Sequence, residues 1–128
     1  MDWAILGAGD NHMAHALIGA GDHTVHGEIQ GSYRRWVAIW EHRAKAIKRN
    51  VGYVPGLLLH YWHGQKVSRG YWSRWRILVD SKFEPETDLK RDWQGLWDLV
   101  VESDRQQELR DAVRAYFRAR NEDGTDLE

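Results

Sequence analysis

The chain has 128 residues, enough for one domain with a modest core. It contains no cysteine, which excludes a disulfide framework, a thiolate nucleophile and cysteine-ligated zinc. A formal net charge of −1 gives no global bias toward nucleic acid, and no apolar run is long enough to span a membrane.

The first residues lack a basic-then-apolar signal pattern, so a cytoplasmic protein is expected. Charge varies locally: residues 34–49 are basic and the tail after Asn121 is acidic. Eight tryptophans and seven histidines are both high counts. Helix-spaced aromatics usually fill a core, and Trp36, Trp40, Trp72 and Trp75 carry that spacing. A stacking surface for bases or sugars is the functional alternative.

In chain order, residues 3–9 form a short apolar segment that ends in a glycine turn. Asp10 then stands at a helix N-cap, and the helix should run to about Ile18 and stop at Gly19. His12 and His15 lie one turn apart on one face. Residues 19–32, rich in Gly, His and Thr, read as a loop carrying His23 and His26. Ser32 can cap the next helix. Tyr33, Trp36, Val37, Trp40, Ala44 and Ile47 give it an apolar stripe. Arg34, Arg35, Arg43, Lys45 and Lys48 form its opposite, solvated face.

Asn50 and Gly52 end that helix, and Pro55-Gly56 marks a turn. Residues 57–62, Leu-Leu-Leu-His-Tyr-Trp, read as a buried strand. Ser68 should cap a short helix with Tyr71, Trp72, Trp75 and Leu78 facing inward. Residues 83–88 read as irregular. Residues 89–93 and 96–100 flank Gln94-Gly95 as a hairpin. Ser103-x-x-Gln106 matches a capping box, and a last helix over 104–120 should turn Leu109, Val113, Tyr116 and Phe117 inward. The expected plan is α+β, an incomplete α/β fold of three to four helices on a few short strands. It is a single domain over 1–120 with an acidic, fraying tail over 121–128.

The chemistry concentrates where the apolar strand ends. His60 and His63 are followed by Lys66 and Arg69, and the next helix starts just beyond. Imidazoles can hold a metal or meet a phosphate, and Lys66 and Arg69 suit an anion. A helix start adds free N–H groups. His60, Trp62, His63, Lys66 and Arg69 are therefore the candidate phosphate-binding set. Asp10, His12, His60 and His63 could assemble a metal site. For His12 and His15 the plainer reading is a packed core histidine.

Several strings also resemble a known family. They are Gly7-Ala8-Gly9-Asp10-Asn11-His12, Gly52-Tyr53-Val54-Pro55-Gly56, His60-Tyr61-Trp62-His63-Gly64 and the Phe-x-Pro-x-Thr-Asp stretch from Phe83. In order and spacing they are similar to the C-terminal half of phage and bacterial GT-A-type glycosyltransferase-like proteins. The resemblance implies that Gly7–Asp10 lies by the acceptor and the reacting sugar. It implies that His60 or His63 helps hold a divalent metal on the donor diphosphate, and that Lys66 and Arg69 neutralise the leaving group. The Asp-x-Asp motif of a complete GT-A domain occurs nowhere in these residues.

Two functions follow as expectations, beside the plain alternative of a structural or protein-interaction module with satisfied core histidines. One is a small binding protein that holds a nucleotide or nucleotide-sugar-like ligand without turnover and needs no cofactor. In a phage such a protein would sequester a host nucleotide signal. The other is a minimal or split glycosyltransferase, with Asp10 as catalytic base and Mn²⁺ or Mg²⁺ on His60 or His63. Neither reading involves a membrane or nucleic acid. Both leave apolar sheet edge to cover, so a homo-oligomer is expected.

Overall fold

Tyr33 is the centre of the core. It is fully buried on the helix Gly31–Ala44, α2, and four aromatic rings surround it. Trp3, Trp75 and Phe83 meet it edge-on with centroids at 4.8, 5.9 and 6.3 Å. His12 does so at 5.7 Å. Edge-to-face contacts of this kind add to the burial of the rings themselves. The computed structural model describes residues 1–59 and 65–120.

The first helix, α1, spans Gly9–Leu17. Its N-cap is Ala8, not Asp10 as the sequence suggested, and no side chain caps it. The reason is a left-handed pair: Gly7 has φ +89° and Ala8 φ +72°, which swings the chain into the helix early. Asp10 therefore sits inside the first turn, where its carboxylate accepts from the Asn11 N–H at 2.8 Å. The helix closes as expected at Gly19, with φ +80° and Ala20 N–H donating to the His15 carbonyl at 2.9 Å. A 3-10 turn, Gly21–Thr24, leads on toward α2.

Ser32 does not cap α2; Gln30 holds that position. Ser32 is buried, and both its N–H and its hydroxyl donate to the Glu84 carboxylate. Gly31 has φ +62°, and a Cβ there would fall 1.8 Å from Glu84 Oε1. A glycine is required for α2 to begin so close to that carboxylate.

The predicted buried strand is corrected. Leu57, Leu58 and Leu59 are 80–86 % exposed and belong to no strand. Apolarity alone does not bury a strand; another element must cover it, and none does among the described residues. The rest of that strand, residues 60–62, lies outside the described residues.

Beyond it, the single helix expected after Ser68 is interrupted. A 3-10 turn, Val67–Arg69, ends at Gly70 with φ +50°, and α3 spans Arg74–Asp80. The break turns Tyr71 and Trp72 outward, Trp72 to 88 % exposure, while Leu78 stays buried. Residues 83–88 are not irregular throughout: Pro85–Asp88 forms one helical turn, α4, with proline at its start.

The hairpin matches the sequence reading. β1, Leu89–Arg91, pairs antiparallel with β2, Trp97–Leu99, in the register Leu89↔Leu99. The Arg91 guanidinium lies 3.6 Å from the centroid of the Trp97 ring. The last helix, α5, spans Asp104–Ala119, and Ser103 Oγ accepts from the Gln106 N–H at its start. Gln106 reaches back to the Glu102 N–H at 3.0 Å, one residue before the box position. Leu109 and Val113 are buried as expected, but Phe117 is exposed because the last turn of α5 outruns the core. The fold is α+β, with five helices and one two-stranded sheet among the described residues. No helix of the described residues is long and apolar enough to cross a membrane.

Candidate functional site: an arginine-lined hollow at the start of α1

The left-handed turn at Gly7 and Ala8 brings the start of α1 against α3 and α5. The meeting place is a hollow of about 300 Å³. Asp10 and Asn11 from α1, Arg69 and Arg74 from the segment around α3, and Tyr116 and Arg120 from α5 line it.

Each cation is held by an aromatic partner. Arg69 donates to the Tyr71 hydroxyl at 3.1 Å, and the Tyr116 hydroxyl donates to the Arg69 carbonyl at 2.9 Å. Arg74 lies 5.1 Å from the centroid of Tyr71, and Arg120 5.6 Å from that of Tyr116. Arg74 also lies over Gly7, where a Cβ would come within 2.9 Å of its Nη1. Glycine is therefore what lets the guanidinium approach the backbone.

Among the described residues, no carboxylate forms an ion pair with Arg69 or Arg74, although Arg34, Arg35, Arg76, Arg91 and Arg105 all have one. Arg69 Nε is buried without a hydrogen-bond partner among the described residues. Asp10 is the single carboxylate among the described lining residues. Arg69 and Arg74, with no ion-pair partner among the described residues, can attract an anion from solution, and a planar guanidinium can meet phosphate with two N–H groups. The uncapped start of α1 adds backbone N–H groups to the same wall.

His12 lies beneath this wall and is fully buried. The Thr24 hydroxyl donates to the Gly21 carbonyl at 2.6 Å, so its oxygen must accept from His12 Nδ1–H. His12 Nε2 then accepts from the Tyr33 hydroxyl at 2.9 Å. That arrangement requires a neutral imidazole. Burial first, and the nearby Arg74 charge second, push the His12 pKa down to about 4. Tyr33 is pushed well above its ordinary range, chiefly by burial.

The candidates from sequence separate accordingly. Asp10 and Arg69 come together in the hollow. His12 has both nitrogens engaged and packs the core, so it offers no free lone pair to a metal. Lys66 is exposed at the start of the 3-10 turn and does not line the hollow. His60, Trp62 and His63 lie outside the described residues. Among the described residues no group of three or more His, Asp or Glu could hold a metal. Arg74, Tyr116 and Arg120 were missed. Their signal was a cation one turn from an aromatic, Tyr116 to Arg120, and a cation among aromatics in Tyr71-Trp72-Ser73-Arg74-Trp75. No family model, no curated protein and no solved structure matches this chain.

Proposed function

We propose that the chain binds a phosphate-bearing ligand of the nucleotide or nucleotide-sugar type at the start of α1 and holds it without turnover. The observation that carries this reading is the pair Arg69 and Arg74, which face one hollow with no carboxylate partner among the described residues. A bound phosphate relieves their mutual repulsion and takes charge-assisted hydrogen bonds from both. The exposed aromatics beside them suit the ring of a nucleotide. The resemblance to GT-A-type proteins supports the same ligand class.

Asp10 in the same hollow favours a second reading, glycosyl transfer. Its carboxylate would take the proton of an acceptor hydroxyl as that oxygen bonds to the anomeric carbon. The bond from that carbon to the diphosphate oxygen breaks, and the departing charge meets Arg69 and Arg74.

Incubation of the purified protein with a panel of nucleotides and nucleotide sugars, with and without Mn²⁺, tests both. Mass spectrometry of bound and free fractions should return the ligand intact and in stoichiometric amount. A cleaved sugar would favour transfer, and Asp10→Asn should then stop cleavage while binding persists. An Arg69→Ala, Arg74→Ala double variant that binds as well as the parent would sink both readings.

A further inference from the structure

The arginine hollow is one of two that meet at the start of α1. The second, of about 620 Å³, adjoins it at Tyr71 and Arg74. The two share Ala8, Asn11, Tyr71 and Arg74 in their walls. Their chemistry differs. The smaller is the arginine-lined one. The larger is walled by Trp72, Trp75, His15, His23 and Thr24, and no carboxylate lines it among the described residues.

We infer that the hollows are two lobes of one site for a nucleoside diphosphate. Its phosphates lie between Arg69 and Arg74, and its base lies in the larger lobe against the indole of Trp72. This rests on the anion-binding reading above and adds the ligand's second half and its direction.

Three observations carry it. Trp72 is 88 % exposed at the rim of the larger lobe, although its neighbour Trp75 is packed against His12 and Tyr33. An indole left in water beside a hollow is a stacking platform, because every base offers it a flat face. The larger lobe also falls within the usual size of a small-molecule site, so it has room for a base and ribose. Asn11 and His23 supply polar groups that can pair with a base edge without placing negative charge near the phosphates. A bare phosphate would fill only the smaller lobe and leave Trp72 in solvent.

Titration calorimetry on the full chain tests this with inorganic pyrophosphate, uridine diphosphate and uridine as probes. Uridine diphosphate should bind about tenfold more tightly than pyrophosphate, the gain typical of one stacked base. Trp72→Ala should reduce uridine diphosphate to the affinity of pyrophosphate and leave pyrophosphate unchanged. Trp72 is exposed, so thermal unfolding of the variant should match the parent. Equal affinity for the two probes, with Trp72→Ala neutral, overturns the two-lobe site while the anion reading stands. If neither phosphate probe binds, the anion reading fails and takes this inference with it.

Discussion

Arg105 grips both carboxylate oxygens of Asp88 from the first turn of α5. Its Nη1 reaches Oδ2 at 3.0 Å and its Nη2 pairs with Oδ1. Asp88 is fully buried, and it also accepts from the Glu84 N–H at 2.9 Å and from Gln106 Nε2 at 3.0 Å. One carboxylate thus ties α4 to the start of α5. Removing it strands buried donors, which costs roughly 3 kcal/mol in comparable cases. Asp88→Ala should lower stability by about that amount in urea unfolding. A loss below about 1 kcal/mol would show that the pair is not what joins the two helices.

The same contacts set an acid limit. Burial alone would raise the Asp88 pKa, but the bonds from Arg105, Glu84 N–H and Gln106 outweigh it and hold the carboxyl below its usual range. A lowered folded pKa stabilises above the unfolded value of about 4 and is lost as pH falls through the folded value. Unfolding free energy should therefore drop as pH falls below about 4. The drop should be smaller in Asp88→Asn, compared by denaturant titration at pH 5 and pH 3.

His12 produces a second slope at higher pH. Its folded pKa is about 4 and its unfolded value about 6.5. Between those values the unfolded chain binds the extra proton, so stability falls as pH falls across that window. Below about 4 both states are protonated and His12 adds nothing further. From pH 7.5 to pH 5 the loss should be on the order of 2 kcal/mol. His12→Gln should be less stable than the parent at pH 7.5 yet show a flatter dependence between pH 7 and 5. An imidazole that titrates near 6.5 in the folded protein by NMR would remove the argument.

Legibility in the sequence followed how local the cause was. The Ser103-x-x-Gln106 cap, the hairpin around Gln94-Gly95 and the Leu109 and Val113 stripe depend on neighbours a few residues away, and all were readable. Ser32 was assigned as a cap because its real partner, Glu84, lies 52 residues on. Asp88 was missed for the same reason. Of the charged residues lining the candidate hollow, type and position in the sequence single out Asp10 and Arg69. They do not single out Arg74 and Arg120, because only the left-handed turn at Gly7 and Ala8 brings α3 and α5 to the start of α1.

Gly7 offers a way to disturb the site more than the fold. Its φ of +89° disfavours any side chain, and a Cβ would meet Arg74 Nη1 at 2.9 Å. The guanidinium is a flexible end and can move aside, so Gly7→Ala should cost only about 1–2 kcal/mol of stability. It should displace Arg74 from the hollow and weaken binding of pyrophosphate or uridine diphosphate at least tenfold. Unchanged affinity would show that Arg74 does not need its place over Gly7 to bind.

The leucine run tests burial against apolarity. Leu57, Leu58 and Leu59 are as apolar as Leu109, yet they stand 80–86 % exposed and Leu109 is fully buried. Exposed positions away from caps and ion pairs usually shift stability by less than about 0.5 kcal/mol. A buried leucine cut to alanine costs about 2–5 kcal/mol. Leu58→Ser should therefore leave the urea midpoint unchanged while Leu109→Ala lowers it sharply. Because an exposed apolar run favours association, Leu58→Ser should also reduce self-association in sedimentation at raised concentration. If Leu58→Ser destabilised the chain as much as Leu109→Ala, this run would be covered in solution, and the strand reading of residues 57–59 would return.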